Sequence, residues 1–217
     1  PNVRLFNLNR SGYANSARYI IFPWTGDVGR HWSGYRAQLP LMLTMSMSNV
    51  PYIHSDAGGF TFAKQDNELY ARWMQMSAFS PILRPHGTAL KELIPDADSY
   101  PSEAALFDEP YKSIARKYIQ MRYDLLPYNY TLGYDHMANS EPLVKPLFFY
   151  SFDDKETLKA EDQYYWGRNL MVAPVLESGA TSRKLYLPAG SEWYSYLNPQ
   201  KPLAGGLWIE PAVTLQD

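Results

Sequence analysis

Apolar runs of strand length alternate with longer stretches of helical spacing along most of the chain. VRLFNLNRS and RYIIFPW are apolar, β-rich runs ending in polar or glycine-containing turns, and VPYIHSD is a third. Between them RHWSGYRAQLPLMLTMSMSN reads as a helix entered from a loop. DNELYARWMQMSAFS reads as another, with Asp66 as N-cap and Glu68 in its first turn. Strands alternating with helices predict βα units around a parallel sheet. The Pro-, Asp- and Ser-rich stretch from Leu90 to Asp108 reads as a long loop. A helical block follows, EPYKSIARKYIQMRYDLLPYNYTLGYDHMA, opened by Pro110 and broken or bent near Pro127. PLVKPLFFYSF is a further strand candidate. From about Tyr164 the pattern changes: NLMVAPVL, RKLYLPAG and EWYSYLN are short strands separated by Gly, Pro, Asn and Ser turns, as in an all-β module.

Composition narrows the function classes. A chain of 217 residues is long enough to bury a core. Its net charge of −2, with acids and bases mixed along the chain, lacks the basic footprint of a nucleic-acid binder. No apolar run is long enough to cross a bilayer, so a membrane partner is not expected either. The chain opens at PNVRLFNLNR, without a Met or a signal-peptide pattern, and reads as cut from something longer. The absence of cysteine excludes disulfides and Cys-based zinc sites. The aromatic share, 15%, exceeds what a core alone would use, and aromatic faces also stack on the C–H faces of sugars.

Candidate chemistry sits where strands end. Arg10 closes LFNLNR, Asp27 closes FPWTGD, Asp56 closes YIHSDAGGF, and Arg84 with His86 lies in PILRPHG. In a β/α barrel the loops after the strands form one active face, so these residues are expected to converge. Each alone has a plainer reading. Asp27 and Asp56 suit turns, Gly58 and Gly59 permit backbone conformations closed to other residues, and a lone His86 suits a structural hydrogen bond.

Taken in order, RSGYANSARYIIFPWTGD, YIHSDAGGF, ELYARWMQMSAFSPILRPHG, MRYDLLPYNYTL, PLVKPLFF and WGRNLMVAPVL resemble glycoside hydrolase family 31 over nearly the whole chain. That family contains α-glucosidases, α-xylosidases and α-transglucosylases. The resemblance implies an α/β fold: the later half of a (β/α)8 TIM barrel, over residues 1–155, followed by the start of a truncated all-β sandwich domain, over 156–217. It implies that Asp27 is the general acid/base. Asp56 and His86 would hold sugar hydroxyls, Arg10 and Arg84 would be the arginines of the same subsite, and Trp24 and Phe60 its aromatic lining. Trp73 and Met74 fit core packing better than sugar contact. EWYSYLNPQ, with Trp193, Tyr194 and Tyr196, is expected to be an amphipathic strand of the sandwich in preference to a sugar-stacking platform.

Acetal cleavage needs a carboxylate facing the anomeric carbon and a carboxylic acid that protonates the departing oxygen. An apolar setting favours the protonated acid, and Ile20, Ile21, Phe22, Pro23 and Trp24 are the candidates to supply one around Asp27. Arg10 would oppose this, so it is expected to serve the substrate or the nucleophile rather than Asp27. The nucleophile motif of the family, of the W-x-D-x-N-E kind, is not present. QDNEL at 65–69 opens a helix and reads as a cap. The chain is thus expected to begin after the nucleophile strand and to be catalytically incomplete by itself. It would require the upstream half of the same polypeptide, or self-association, to cover the open sides of a half barrel. The expected substrate is an α-glucan or α-glucoside oligosaccharide, cleaved with retention. The alternatives are transfer by an α-1,4-transglucosylase, an α-xylosidase, or a non-catalytic carbohydrate-binding relative. No metal or cofactor is expected, because the acids and histidines lack close ligand spacing.

Overall fold

The computed structural model describes residues 3, 5–13, 15–19, 21–61, 64–88 and 101–217. Ile20 and most of the predicted long loop, 90–100, lie outside them. Strand β1 (Asn7–Asn9) runs parallel to β2 (Ile21–Pro23), with Asn9 opposite Pro23. The pairing continues through single parallel bridges, Trp24 to His54 and Ala57 to Pro85. Backbone bonds from His54 N to Pro23 O (3.2 Å), Thr25 N to His54 O (2.9 Å) and Ala57 N to Arg84 O (3.0 Å) join the segments. Four parallel segments therefore lie side by side in chain order, as βα units require. They form an open arc and not a closed barrel. The expected third strand is shorter than VPYIHSD suggested, since only the bridges at His54 and Ala57 hold it in the sheet.

Helices cover the arc. Helix α1 (Trp32–Met47) follows β2 and is capped by His31, whose Nδ1 accepts from Gly34 N at 2.9 Å. It buries Tyr35, Leu39, Met42 and Ser46, a three-to-four-residue spacing that gives one inward stripe. Helix α2 (Asn67–Ala78) follows the third segment and is buried continuously from Leu69 to Ala78. The reason is that it is covered twice. Leu69, Trp73 and Met74 pack with Ile53 and Ala57 of the arc, while Ala71 and Ala78 pack with Ile114 and Tyr118 of α3 (Tyr111–Asp124). Trp73 and Met74 are core residues, as expected, and the Trp73 indole donates to Ser55 Oγ at 2.8 Å. Helix α4 (Leu126–Asn139) starts directly after α3, with Pro127 in its first turn, where the missing N–H costs nothing.

The remainder is antiparallel. Strands β3 (Val144–Pro146), β4 (Tyr164–Trp166) and β5 (Leu170–Val172) form one sheet. Leu143, Val144, Tyr164 and Trp166 join it to Leu39 of α1 and Leu132 of α4. Strand β6 (Leu185–Leu187) pairs with β9 (Leu207–Ile209), and β7 (Glu192–Trp193) with β8 (Leu203–Ala204). Trp193 stacks on Tyr165 at 6.2 Å between ring centres, whereas Tyr194 and Tyr196 lie beyond the two-residue strand and are exposed. The β3–β4 pairing spans the division expected at residue 155.

Asp66 links these elements. Its Oδ1 accepts from Leu69 N and its Oδ2 from the Trp32 indole, both at 2.9 Å, so one side chain caps α2 and anchors α1. In the full-length protein, Asp66→Ala is expected to cost about 1–3 kcal/mol in urea unfolding, and Asp66→Asn markedly less. Equal losses in the two variants would show that the cap contributes little.

Candidate active site

The four segment ends are adjacent, so the side chains they carry meet. Asp27 follows β2 through Gly26, which adopts φ +86, a conformation that favours glycine. Val28 N bonds to Gly26 O at 2.9 Å and turns the chain outward. Arg10, just past β1, then reaches Asp27: Nη2 lies 2.9 Å from Oδ2. The expectation that Arg10 would leave Asp27 alone is thereby corrected, because the parallel register of β1 and β2 brings their ends together. Nor do the described residues supply the apolar enclosure expected for Asp27. Ile21 and Pro23 are buried, but their side chains belong to the strand, and the Asp27 side chain two residues beyond Thr25 is 43% exposed.

The buried acid is Asp56, at 0% exposure. Gly58 and Gly59, at φ +90 and +81, turn the chain immediately after it, and Gly59 N bonds Asp56 O at 2.9 Å. A methyl group on Gly58 would stand 2.5 Å from the Tyr70 ring, so the sequence AGGF is required by the close approach of α2 as well as by the turn. Arg84 Nη2 donates to Asp56 Oδ1 in a tight ion pair. The guanidinium also donates from Nε to His54 Nε2 at 3.1 Å and lies over the Trp24 ring at 5.0 Å. Phe60 stacks on His86, with ring centres 5.3 Å apart.

Electrostatics follow from this packing. Burial pushes the Asp56 pKa from the ordinary 3.8 up to about 6; Arg84 opposes the shift, the Asp27 charge adds to it, and Arg10 subtracts. Burial also lowers His54, to about 4, with Arg84 acting in the same sense. His86 is lowered by burial and by Arg84, against the pull of Asp27 and Glu103. All seven residues singled out from sequence lie at this one end of the arc, in three neighbouring groups. Arg10 pairs with Asp27. Trp24, Asp56 and Arg84 interlock, and Phe60 with His86 flanks them.

Three buried polar atoms at these strand ends have no hydrogen-bond partner among the described residues: Asn9 Oδ1, Trp24 Nε1 and Asp56 Oδ2. Unpaired buried polar groups are costly, and a cluster of them at one mouth suits a polar ligand rich in hydroxyls. Among the described residues no three His, Asp or Glu side chains are grouped to hold a metal. Sequence reading missed His54, although it lies two residues before Asp56 and so shares its strand face. It also missed Gln38, which accepts from Thr25 Oγ1 and buttresses the WTGD turn from α1.

Known proteins share this arrangement of sequence. Residues 1–132 match the model of the glycosyl hydrolases family 31 TIM-barrel domain, and 140–216 match that of the glycosyl hydrolase family 31 C-terminal domain. The chain is 34% identical to an α-xylosidase of Saccharolobus solfataricus, over 99% of this chain and 28% of the relative. It is 36% identical to neutral α-glucosidase C of Mus musculus, over 98% of this chain and 22% of that protein. Among solved structures, a Flavobacterium johnsoniae dextranase complexed with isomaltotriose superposes with a TM-score of 0.89 at 32% identity, covering 100% of this chain and 26% of its own. The chain thus spans between a fifth and a third of the length of these proteins.

The raised Asp56 pKa has a consequence for stability. The folded state holds this proton more tightly than the unfolded chain, so folding loses stability as pH rises from about 4 to about 6 and carries the full cost above that. In the full-length protein, the stability of Asp56→Asn relative to wild type should increase by about 2–3 kcal/mol between pH 4 and pH 7. Urea unfolding at the two pH values reads this directly. A pH-independent difference would mean that Asp56 titrates as an ordinary carboxyl.

Proposed function

The chain belongs to glycoside hydrolase family 31, and on that premise we propose that it forms part of a retaining α-glucoside hydrolase, carrying the general acid/base and much of the sugar subsite. The observation that carries the reading is the juxtaposition of two acids in unlike settings: Asp27, accessible beside Arg10, and Asp56, buried with one carboxylate oxygen unpartnered. In the first step the Asp27 carboxyl protonates the glycosidic oxygen as its bond to the anomeric carbon breaks, and a carboxylate from outside this chain bonds to that carbon. In the second, the Asp27 carboxylate takes a proton from water, whose oxygen displaces the enzyme carboxylate, and the configuration is retained.

Asp56 Oδ2 and His86 accept or donate to sugar hydroxyls, and Arg84 holds Asp56 in place. Trp24 and Phe60 supply apolar faces for the ring. Arg10 moves from Asp27 to the sugar when Asp27 is to act as an acid. The same reading divides the chain into a catalytic β/α unit and an all-β module. The β3–β4 pairing favours setting that division before Val144 instead of at residue 155. An α-xyloside is the second candidate substrate, favoured by the likeness to the Saccharolobus α-xylosidase.

The test uses the full-length enzyme with Asp27→Ala and an aryl α-glucoside or aryl α-xyloside with a good leaving group. Turnover of an unactivated disaccharide is expected to fall by about 10²–10⁴-fold, the usual worth of a general acid/base. The activated substrate should still react, with its rate restored by azide and an α-glycosyl azide as product. Unchanged hydrolysis of the disaccharide would remove Asp27 from the mechanism.

A further inference from the structure

Arg84 is more constrained than an ion-pairing arginine needs to be. Its Nη2 binds Asp56, its planar face lies over Trp24, and its Nε is bound to a histidine. That third contact fixes the state of the histidine. A guanidinium has only donors, so His54 Nε2 must present a lone pair to Nε at 3.1 Å. The ring proton then resides on Nδ1, which faces the Tyr52 carbonyl at 3.5 Å. His54 itself cannot drift: it is fully buried, and its backbone N and O are tied to Pro23 and Thr25 of the neighbouring strand.

We infer that His54 is a positioning residue of this site, whose neutral imidazole holds Arg84 by Nε so that the guanidinium presents Nη2 to Asp56 Oδ1 and leaves Asp56 Oδ2 for substrate. The inference rests on the functional reading above and deepens it. A single Nη2 contact lets a long side chain swing about its terminal torsions. A second contact on another edge of the planar fork fixes its orientation. Because Oδ1 is then always occupied by Arg84, the unpartnered Oδ2 is the acceptor that remains. The depression of the His54 pKa to about 4 by burial and by Arg84 keeps the acceptor available at neutral pH. Asp56, held by the same guanidinium, is the acid of the cluster.

The experiment combines kinetics and crystallography on the full-length enzyme, using wild type, His54→Leu, His54→Gln, Arg84→Met and the His54→Leu/Arg84→Met double variant. Loss of a hydrogen bond to a charged group predicts a fall of about 10- to 100-fold in kcat/KM for an aryl α-glycoside in His54→Leu. His54→Gln, whose amide oxygen accepts, should recover most of that loss. In the Arg84→Met background, His54→Leu should cost almost nothing further. A merely structural histidine would instead cost the same with and without Arg84, and Gln would rescue no better than Leu; either result overturns the inference. The crystal structure of His54→Leu decides independently of activity. The guanidinium is expected to leave Asp56 Oδ1, and an unmoved Arg84 would refute the role even if wild type cleaved neither glucosides nor xylosides, an outcome that would sink the functional reading instead. Should the Leu variant not fold, His54→Asn, whose amide is one methylene too short to meet Nε, replaces it in every comparison.

Discussion

A carboxylate removed from water must be matched by a cation, and in this chain that requirement organises the end of the parallel arc. Asp56 is fully buried, and among the described residues only Arg84, from the adjacent segment, stands against its charge at bonding distance. A buried charge stripped of its partner costs several kcal/mol, so the third and fourth segments must keep their register. The Ala57 N to Arg84 O bond is the backbone expression of that register. The same demand reaches outward. Ser55 is tied to Trp73 of α2, Gly58 lies against Tyr70 of α2, and α2 is in turn clamped by α3. The strand end that carries the acid is thus packed beneath a helix that is itself covered on both sides.

Much of this organisation is legible along the chain, and the illegible part has one physical cause. Asp66 announces the start of α2, and Pro127 the break between α3 and α4, because caps and prolines act on the backbone within a few residues. WTGD, HSDAGGF and RPHG mark strand ends for the same local reason. Which side chain meets which across the sheet is not local. It depends on register and on side-chain reach: Arg10, expected to leave Asp27 alone, pairs with it, and the enclosure expected at Asp27 is found at Asp56. An apolar strand buries residues within itself, but the polar group that follows it is buried only if neighbouring strands extend over it. Asp27 sits in the turn after Gly26, between the widely spaced bridges at Trp24 and Gly29, whereas Asp56 lies between closely spaced ones, at His54 and Ala57. His54 falls under the alternation rule, but its partner is remote, 30 positions away, and no local signal marks it.

The two acids sit in one field yet answer to different rules. Leu5, Phe6 and Leu8 leave the β1 side of the arc apolar and exposed, and Arg10 and Asp27 lie at the end of that open side. Asp56 and Arg84 lie toward the covered side, beneath α2. Family 31 proteins to which this chain is similar are three to five times longer.

This difference in burial sets the strength of the two ion pairs. With the two side chains 64% and 43% exposed, the pair contributes about 0–1 kcal/mol, since water screens the attraction and both side chains lose rotamer freedom in making it. Any group entering the mouth has to displace only that much interaction to separate the two side chains. The Asp56–Arg84 pair cannot exchange in this way, because either partner left behind would be a buried, uncompensated charge. One ion pair at the site is therefore easily broken and the other persists, and the distinction follows from burial without any difference in the chemistry of the residues.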